Sequence, residues 1–247
     1  MEDRYLFIIG GYYNQVALTT VECIDLFTNT WTFKKPMNEA RCKHSAVAVE
    51  NMIFVLGGYY QSTLGQGALN SCEMYNVITN QWIYLPRMKF ERQSFSVIYY
   101  DNYLYAFGGY NGSCLQSCEM LHLLAGSEMM KNSKWSKWRL FHSMPTPRYN
   151  TQAIVLDSNL HILAIIGGVE FSSGSGQRVN TVVLYHISAN TWISANWTLP
   201  ISCTMDLDTP VSAKVILNNY LVVFSGNYRH CWYRSLTEMH KDWIPFT

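Results

Sequence analysis

Charge is scarce in this 247-residue chain: Asp, Glu, Lys and Arg make up 14% of it, and eighteen basic residues against seventeen acidic ones leave a formal net charge of +1. So even a balance produces no long-range field of the kind that gathers nucleic acid or an anionic membrane, and neither is an expected partner. Long apolar runs are also missing. Tyr5–Ile9 and Ile162–Ile166 are among the longest, far below the roughly 20 residues that span a bilayer as a helix. Met1 to Gly11 holds one basic residue and reaches a Gly-Gly pair before a signal-peptide core could form, so secretion is not expected.

Paired metal or disulfide motifs are absent as well. Cys23, Cys42, Cys72, Cys114, Cys118, Cys203 and Cys231 form an odd set without a CxxC, which argues against a disulfide framework or a structural zinc site and suits a reducing compartment, cytoplasmic or nuclear. The sequons at Asn111 and Asn196 then carry no weight. His44, His122, His142, His161, His186, His230 and His240 show no HxH or HxxxH spacing, so no metal site is expected. Cys114 and Cys118 lack the basic neighbours that activate a thiol. No nucleophile triad, phosphate-binding loop or dinucleotide fingerprint is present. The expectation is a chain without catalytic residues or cofactor.

What the chain has is 49% hydrophobic residues, 15% of all residues aromatic, and a repeat. Gly-Gly pairs stand at Gly10-Gly11, Gly57-Gly58, Gly108-Gly109 and Gly167-Gly168, with Ser225-Gly226 in the same role; the intervals are 47, 51, 59 and 58 residues. Each follows an apolar run of strand type: Tyr5–Ile9, Met52–Leu56, Tyr103–Phe107, Leu160–Ile166 and Tyr220–Phe224. A second register follows, Glu22-Cys-Ile-Asp, Glu73-Met-Tyr-Asn, Glu119-Met-Leu-His and Val183-Leu-Tyr-His, each leading through a polar turn to a tryptophan. Ile24 to Trp31, Tyr75 to Trp82, Tyr185 to Trp192 and Leu236 to Trp243 are all seven apart, whereas about ten residues inserted around 125–133 delay Trp138. A third register places Arg41, Arg92 and Arg148 upstream of the glycines, with Thr209 and Pro210 in the fifth copy.

Together these marks resemble the kelch repeat, over almost the whole chain from Arg4 to Trp243. A period near 50 residues with this grammar implies an all-β, kelch-type β-propeller of four-stranded antiparallel blades, here a single domain over 1–247 with repeats at about 1–36, 37–87, 88–144, 145–200 and 201–247. The first repeat begins inside its second strand, so a closing strand is expected outside this sequence, with five or six blades in the intact protein both left open; an unusual five-bladed ring with one three-stranded blade is the alternative. The tryptophans are expected to pack between blades. The glutamates recur once per blade, too dispersed for paired acid/base chemistry, and are expected to make structural hydrogen bonds.

Arg41, Arg92 and Arg148 are expected at the ring mouth, where guanidinium groups would grip an acidic peptide segment; the competing reading ties them to backbone carbonyls or to the repeat glutamates. In kelch adaptors, which the chain resembles, arginines at this register and tyrosines just after Gly-Gly line the partner-binding face. Tyr12, Tyr59 and Tyr110 match, whereas Val169 and Asn227 depart. Loops 61–70 and 170–180, rich in Gly and Ser, are expected to complete that face. The resemblance implies a protein-binding module, most similar to the C-terminal propeller of BTB–BACK–kelch substrate adaptors of cullin-RING ubiquitin ligases; a cytoskeletal, actin-binding role and a kelch-scaffold oxidase or isomerase are the alternatives.

Overall fold

The computed structural model describes residues 4–123, 136–172, 175–199, 212–217, 220–224, 231–235 and 243–245. The insertion at 125–133 and Cys203, Thr209, Pro210, Ser225-Gly226, Asn227, His230, Leu236 and His240 lie outside them.

Every described element is a strand, and the strands fall into five successive antiparallel sheets. Blade 1 holds β1 (Tyr5–Ile9), β4 (Val21–Asp25) and β5 (Thr30–Phe33), with the small hairpin β2 (Tyr12–Tyr13) and β3 (Val16–Ala17) between β1 and β4. Blade 2 holds β6 (Ser45–Val49), β7 (Met52–Leu56), β10 (Cys72–Asn76) and β11 (Gln81–Leu85), with hairpin β8 (Tyr59–Ser62) and β9 (Gly65–Ala68). Blade 3 is β12 (Ser96–Tyr100), β13 (Tyr103–Phe107), β14 (Cys118–His122) and β15 (Arg139–Phe141). Blade 4 is β16 (Gln152–Asp157), β17 (Ile162–Ile166), β20 (Thr181–His186) and β21 (Thr191–Thr198), with hairpin β18 (Val169–Ser172) and β19 (Ser175–Arg178). Blade 5 is β22 (Ser212–Leu217), β23 (Tyr220–Phe224), β24 (Cys231–Ser235) and β25 (Ile244–Pro245). Blades 2 to 5 are four-stranded and blade 1 is three-stranded. The chain forms two compact units, 1–105 with 119–139, and 106–118 with 140–247.

The apolar runs before Gly-Gly become the second strands. In β7 all five residues are buried, as a strand covered on both faces must be, and each large side chain there contributes roughly 1.5–3 kcal/mol by leaving water. The tetrads become the third strands and pair in register, Glu73 opposite Val55 and Tyr75 opposite Ile53. Their fourth residue closes the next turn: Asp25 Oδ1 accepts from the Phe27 and Thr28 amides, and Asn76 Oδ1 from those of Ile78 and Thr79, at 2.9–3.3 Å. Asn29, Asn80 and Asn190 take the left-handed position of these turns, with φ of 54°, 54° and 49°, which asparagine tolerates best after glycine.

The tryptophans join neighbouring blades by a repeated hydrogen bond. The Trp82 indole donates to the Lys35 carbonyl at 2.7 Å, Trp138 to Pro86 at 3.0 Å and Trp192 to His142 at 3.0 Å, each across to the strand or loop that ends the preceding blade. Trp82 belongs to an apolar cluster with Val21, Met37, Ile53, Val55 and Tyr75, and a second cluster includes Ile154, Ile166, Val182, Trp197, Leu221 and Trp232. Trp31 stands in the same register but is half exposed, with Leu6, Ile8 and Phe33 exposed on the same face of blade 1.

Candidate functional site

The three repeat arginines lie inside the protein. Arg41 and Arg92 have no exposed surface and Arg148 retains 3%. A buried guanidinium is costly unless its charge is met, and each of these charges is paired with a carboxylate. Arg41 donates to Glu73 Oε1 at 2.8 Å, to the carbonyls of Gly57 and Ser71 at 2.6 and 3.1 Å, to Ser71 Oγ at 3.2 Å and to Glu39 at 3.2 Å. Arg92 pairs with Glu119 at 2.7 Å, both side chains fully buried. The same glutamates seize the loop that enters their blade: Glu73 accepts from the backbone amides of Asn38 and Glu39, and Glu119 from those of Lys89 and Phe90, at 2.7–3.1 Å.

The fourth tetrad has Val183 where the others have glutamate, and Arg148 compensates locally. It bonds Thr181 through both the carbonyl, at 3.1 Å, and Oγ1, at 2.8 Å, and pairs with Glu170 at 3.3 Å. Burial lowers its pKa and Glu170 opposes that shift.

The backbone of each arginine is used as well. The carbonyls of Arg41, Arg92 and Arg148 accept from the second glycine of the preceding blade's pair, Gly11, Gly58 and Gly109, at 3.0, 2.9 and 2.8 Å. Four residues before each arginine a buried methionine, Met37, Met88 or Met144, brings its methyl under the first glycine of the same pair. The M-x-x-x-R spacing recurs three times in the sequence and is the signal that sequence reasoning missed.

For Arg41, Arg92 and Arg148 these contacts correct the ring-mouth expectation in favour of the competing one, in which backbone carbonyls and repeat glutamates hold the arginines. The residues lock one blade to the next and offer no guanidinium to a partner, because the side chains are buried and their terminal nitrogens turn to carboxylate, carbonyl and hydroxyl acceptors of the protein itself. The acidic peptide inferred from them loses its basis on this surface.

The tyrosines after Gly-Gly are placed differently. Tyr12 is 50% exposed and Tyr13 67%, on hairpin β2–β3. Tyr59 and Tyr60 are half-buried on β8, which β3 flanks within the same unit. Tyr59 is pinned to the chain ahead of β6 by paired backbone bonds with Cys42 of 2.7 and 2.9 Å, and Lys43 Nζ lies 6.0 Å from its ring centre. In the other unit, Tyr110 joins Tyr149 and Phe171 in an aromatic triad with ring centres 5.5–6.0 Å apart. Val169, at the tyrosine register, is fully buried, and Phe171 two positions on is 47% exposed. Loops 61–70 and 170–180 are thus largely ordered as the hairpins β8–β9 and β18–β19. Tyr13 and Phe171 were not singled out from the sequence, although alternation along a hairpin arm puts an aromatic residue within two positions of the register.

His44 sits between the glycine pairs of blades 1 and 2, against Gly10 and Gly58. Burial, reinforced by the Arg41 charge, lowers its pKa to about 4. The unfolded chain therefore binds a proton between its ordinary value near 6.5 and pH 4 that the folded chain refuses, so stability should fall as pH drops through that window, by up to about 3 kcal/mol. Urea unfolding at pH 7.5 and pH 4.5 should show a loss for the wild-type chain that is smaller in His44→Gln.

Among the described residues, Cys23, Cys42, Cys72, Cys114, Cys118 and Cys231 take part in no disulfide. Burial raises the pKa of Cys72 to about 12. Among the described residues, no three His, Cys, Asp or Glu side chains converge as a metal site would require.

Comparison with known proteins agrees with this architecture. The family model described as the KLHDC2/KLHL20/DRC7 Kelch-repeats domain matches residues 1–164 and 43–241. Kelch repeat and BTB domain-containing protein 1 of horsepox virus is 25% identical over 248 residues, covering 99% of this chain and 38% of that protein. Kelch-like protein 23 of Homo sapiens is 26% identical over 64% of the chain and 27% of its own length. Kelch-like protein 26 of Danio rerio is 33% identical over 43% of the chain and 18% of its own length. The chain thus spans well under half the length of these relatives. With the Gly-Gly turns, the Arg–Glu locks and the interblade tryptophans in place, this chain belongs to the kelch-repeat family of β-propellers.

Proposed function

We propose that residues 1–247 act as one kelch domain that selects a protein partner for a cullin-RING ubiquitin ligase, in a cytoplasmic or nuclear setting. The observation that carries the binding half is the contrast between the repeat's charged and aromatic residues. The charges are consumed inside the blades, while Tyr12, Tyr13, Tyr59 and Phe171 emerge on hairpins anchored by Gly-Gly. Rigid, amphipathic aromatic side chains on a fixed scaffold lose little entropy on binding and dominate interface energetics. The ligase half is supported by the BTB domain in the name of the horsepox relative. Cysteines outside any disulfide among the described residues support a reducing compartment.

Proximity labelling with the full-length protein should recover a cullin together with a set of client proteins. Tyr12→Ala with Tyr59→Ala should reduce client recovery about tenfold or more and leave cullin recovery unchanged. Absence of any cullin would overturn the ligase reading, and undiminished client recovery would overturn the assignment of the hairpin tyrosines.

A further inference from the structure

Blade 3 departs from its neighbours at the fourth tetrad position. In blades 1, 2 and 4 that residue closes the following turn, through Asp25 and Asn76 as above, and through His186 Nδ1, which accepts from the Ala189 amide at 3.2 Å. In blade 3 His122 holds that position, ahead of the insertion in the sequence. Its ring packs against Tyr103, with centres 4.7 Å apart.

Beside it opens a cavity of about 140 Å³ lined by Tyr103, Met120, His122, Ser136, Lys137 and Arg139. Met120 and His122 alternate onto one face of β14, as period-two geometry requires. Ser136 Oγ donates to the His122 carbonyl at 2.7 Å and fixes the entry of β15. No carboxylate is among the described residues that line the cavity. Among the described residues none lies within ion-pairing distance of Lys137, Arg139 or His122. In a chain whose repeat arginines Arg41, Arg92 and Arg148 meet glutamate, threonine or backbone acceptors, two long cationic side chains and an imidazole gathered around one hollow stand out.

The geometry points to a phosphoryl-binding site: the cavity takes a phosphate-sized dianion, with Arg139 able to present a two-pronged donor, Lys137 a point charge and His122 a ring N–H. Free phosphate and a phosphorylated side chain share this chemistry. The site is independent of the aromatic hairpins and of the ligase assignment.

Calorimetric titration of the 247-residue chain with inorganic phosphate, O-phosphoserine and acetate tests it. Phosphate and O-phosphoserine should bind saturably at one site, with acetate about tenfold weaker or more, because the monoanion engages fewer charged donors. Tighter O-phosphoserine would assign the site to a phosphorylated side chain, and tighter inorganic phosphate to the free ion. Lys137→Ala with Arg139→Ala should weaken both about tenfold or more, and Lys137→Gln and His122→Asn separately should weaken them by smaller factors. Thermal melting reports whether each variant is folded, and the two single variants carry the test should the double one fail. Absence of saturable phosphate binding, or equal affinity in folded variants, would overturn the proposal.

Discussion

Replacing Glu119 by alanine should lower the stability of the chain by about 3–5 kcal/mol, the usual cost of stripping one partner from a buried ion pair. The carboxylate is fully buried. It receives Arg92 at 2.7 Å and the amides of Lys89 and Phe90 at 2.7 and 3.1 Å, so its loss leaves a buried cation and two buried donors poorly met. Removing both charges together, as Arg92→Met with Glu119→Leu, should restore part of that loss, because the desolvation cost of the pair disappears with it. Denaturant unfolding of the two variants checks both statements. A Glu119→Ala chain that unfolds at the wild-type midpoint would mean that the lock contributes little.

Gly57→Ala should cost about 3 kcal/mol, combining left-handed strain with a clash against backbone. Gly57 has φ of +55°, and a Cβ there would lie 2.6 Å from the Arg92 carbonyl, 2.9 Å from the Phe95 ring and 3.0 Å from the Met88 methyl. The methionine can yield; the carbonyl cannot, since it also holds the Gly58 amide at 2.9 Å. Gly65→Ala is the internal control. Nothing lies within 4 Å of a Cβ at Gly65, which also lacks a positive φ, and its substitution should shift the midpoint by no more than about 0.5 kcal/mol. Equal effects at the two positions would show that the Gly-Gly turn is not the point where consecutive blades meet.

The blades were legible because three kinds of residue recur for reasons that sequence displays directly. Gly57 and its counterparts are demanded by φ, Met52–Leu56 and its counterparts by burial on both faces, and Trp82 and its counterparts by a fixed reach to the neighbouring blade. The arginines were legible in position but not in direction. Arg41 and Glu73 lie 32 residues apart, and Arg92 and Glu119 lie 27 apart, so neither spacing advertises a pair. Only the sheet register brings each carboxylate beside the incoming arginine. Blade 4 shows how weak a guide the motif alone is, since Arg148 persists after its glutamate has become Val183 and takes Thr181 and Glu170 instead. The reading of the position after Gly-Gly points to Tyr12 and Tyr59, each at the head of a hairpin arm, and to Tyr110, bridged to Cys114. It passes over Phe171, because a buried valine takes the register in that hairpin and the aromatic side chain emerges two residues later.

Side-by-side denaturant unfolding of Arg92→Ala and Tyr59→Ala separates the residues that build the blades from those proposed to bind a partner most directly. The Arg92 variant should lose about 3–5 kcal/mol, and the Tyr59 variant, on a hairpin outside the blade core, should lose about 1 kcal/mol or less. An Arg92→Ala chain as stable as the wild type would return the arginines to the list of groups available to a partner and contradict the division of labour described above.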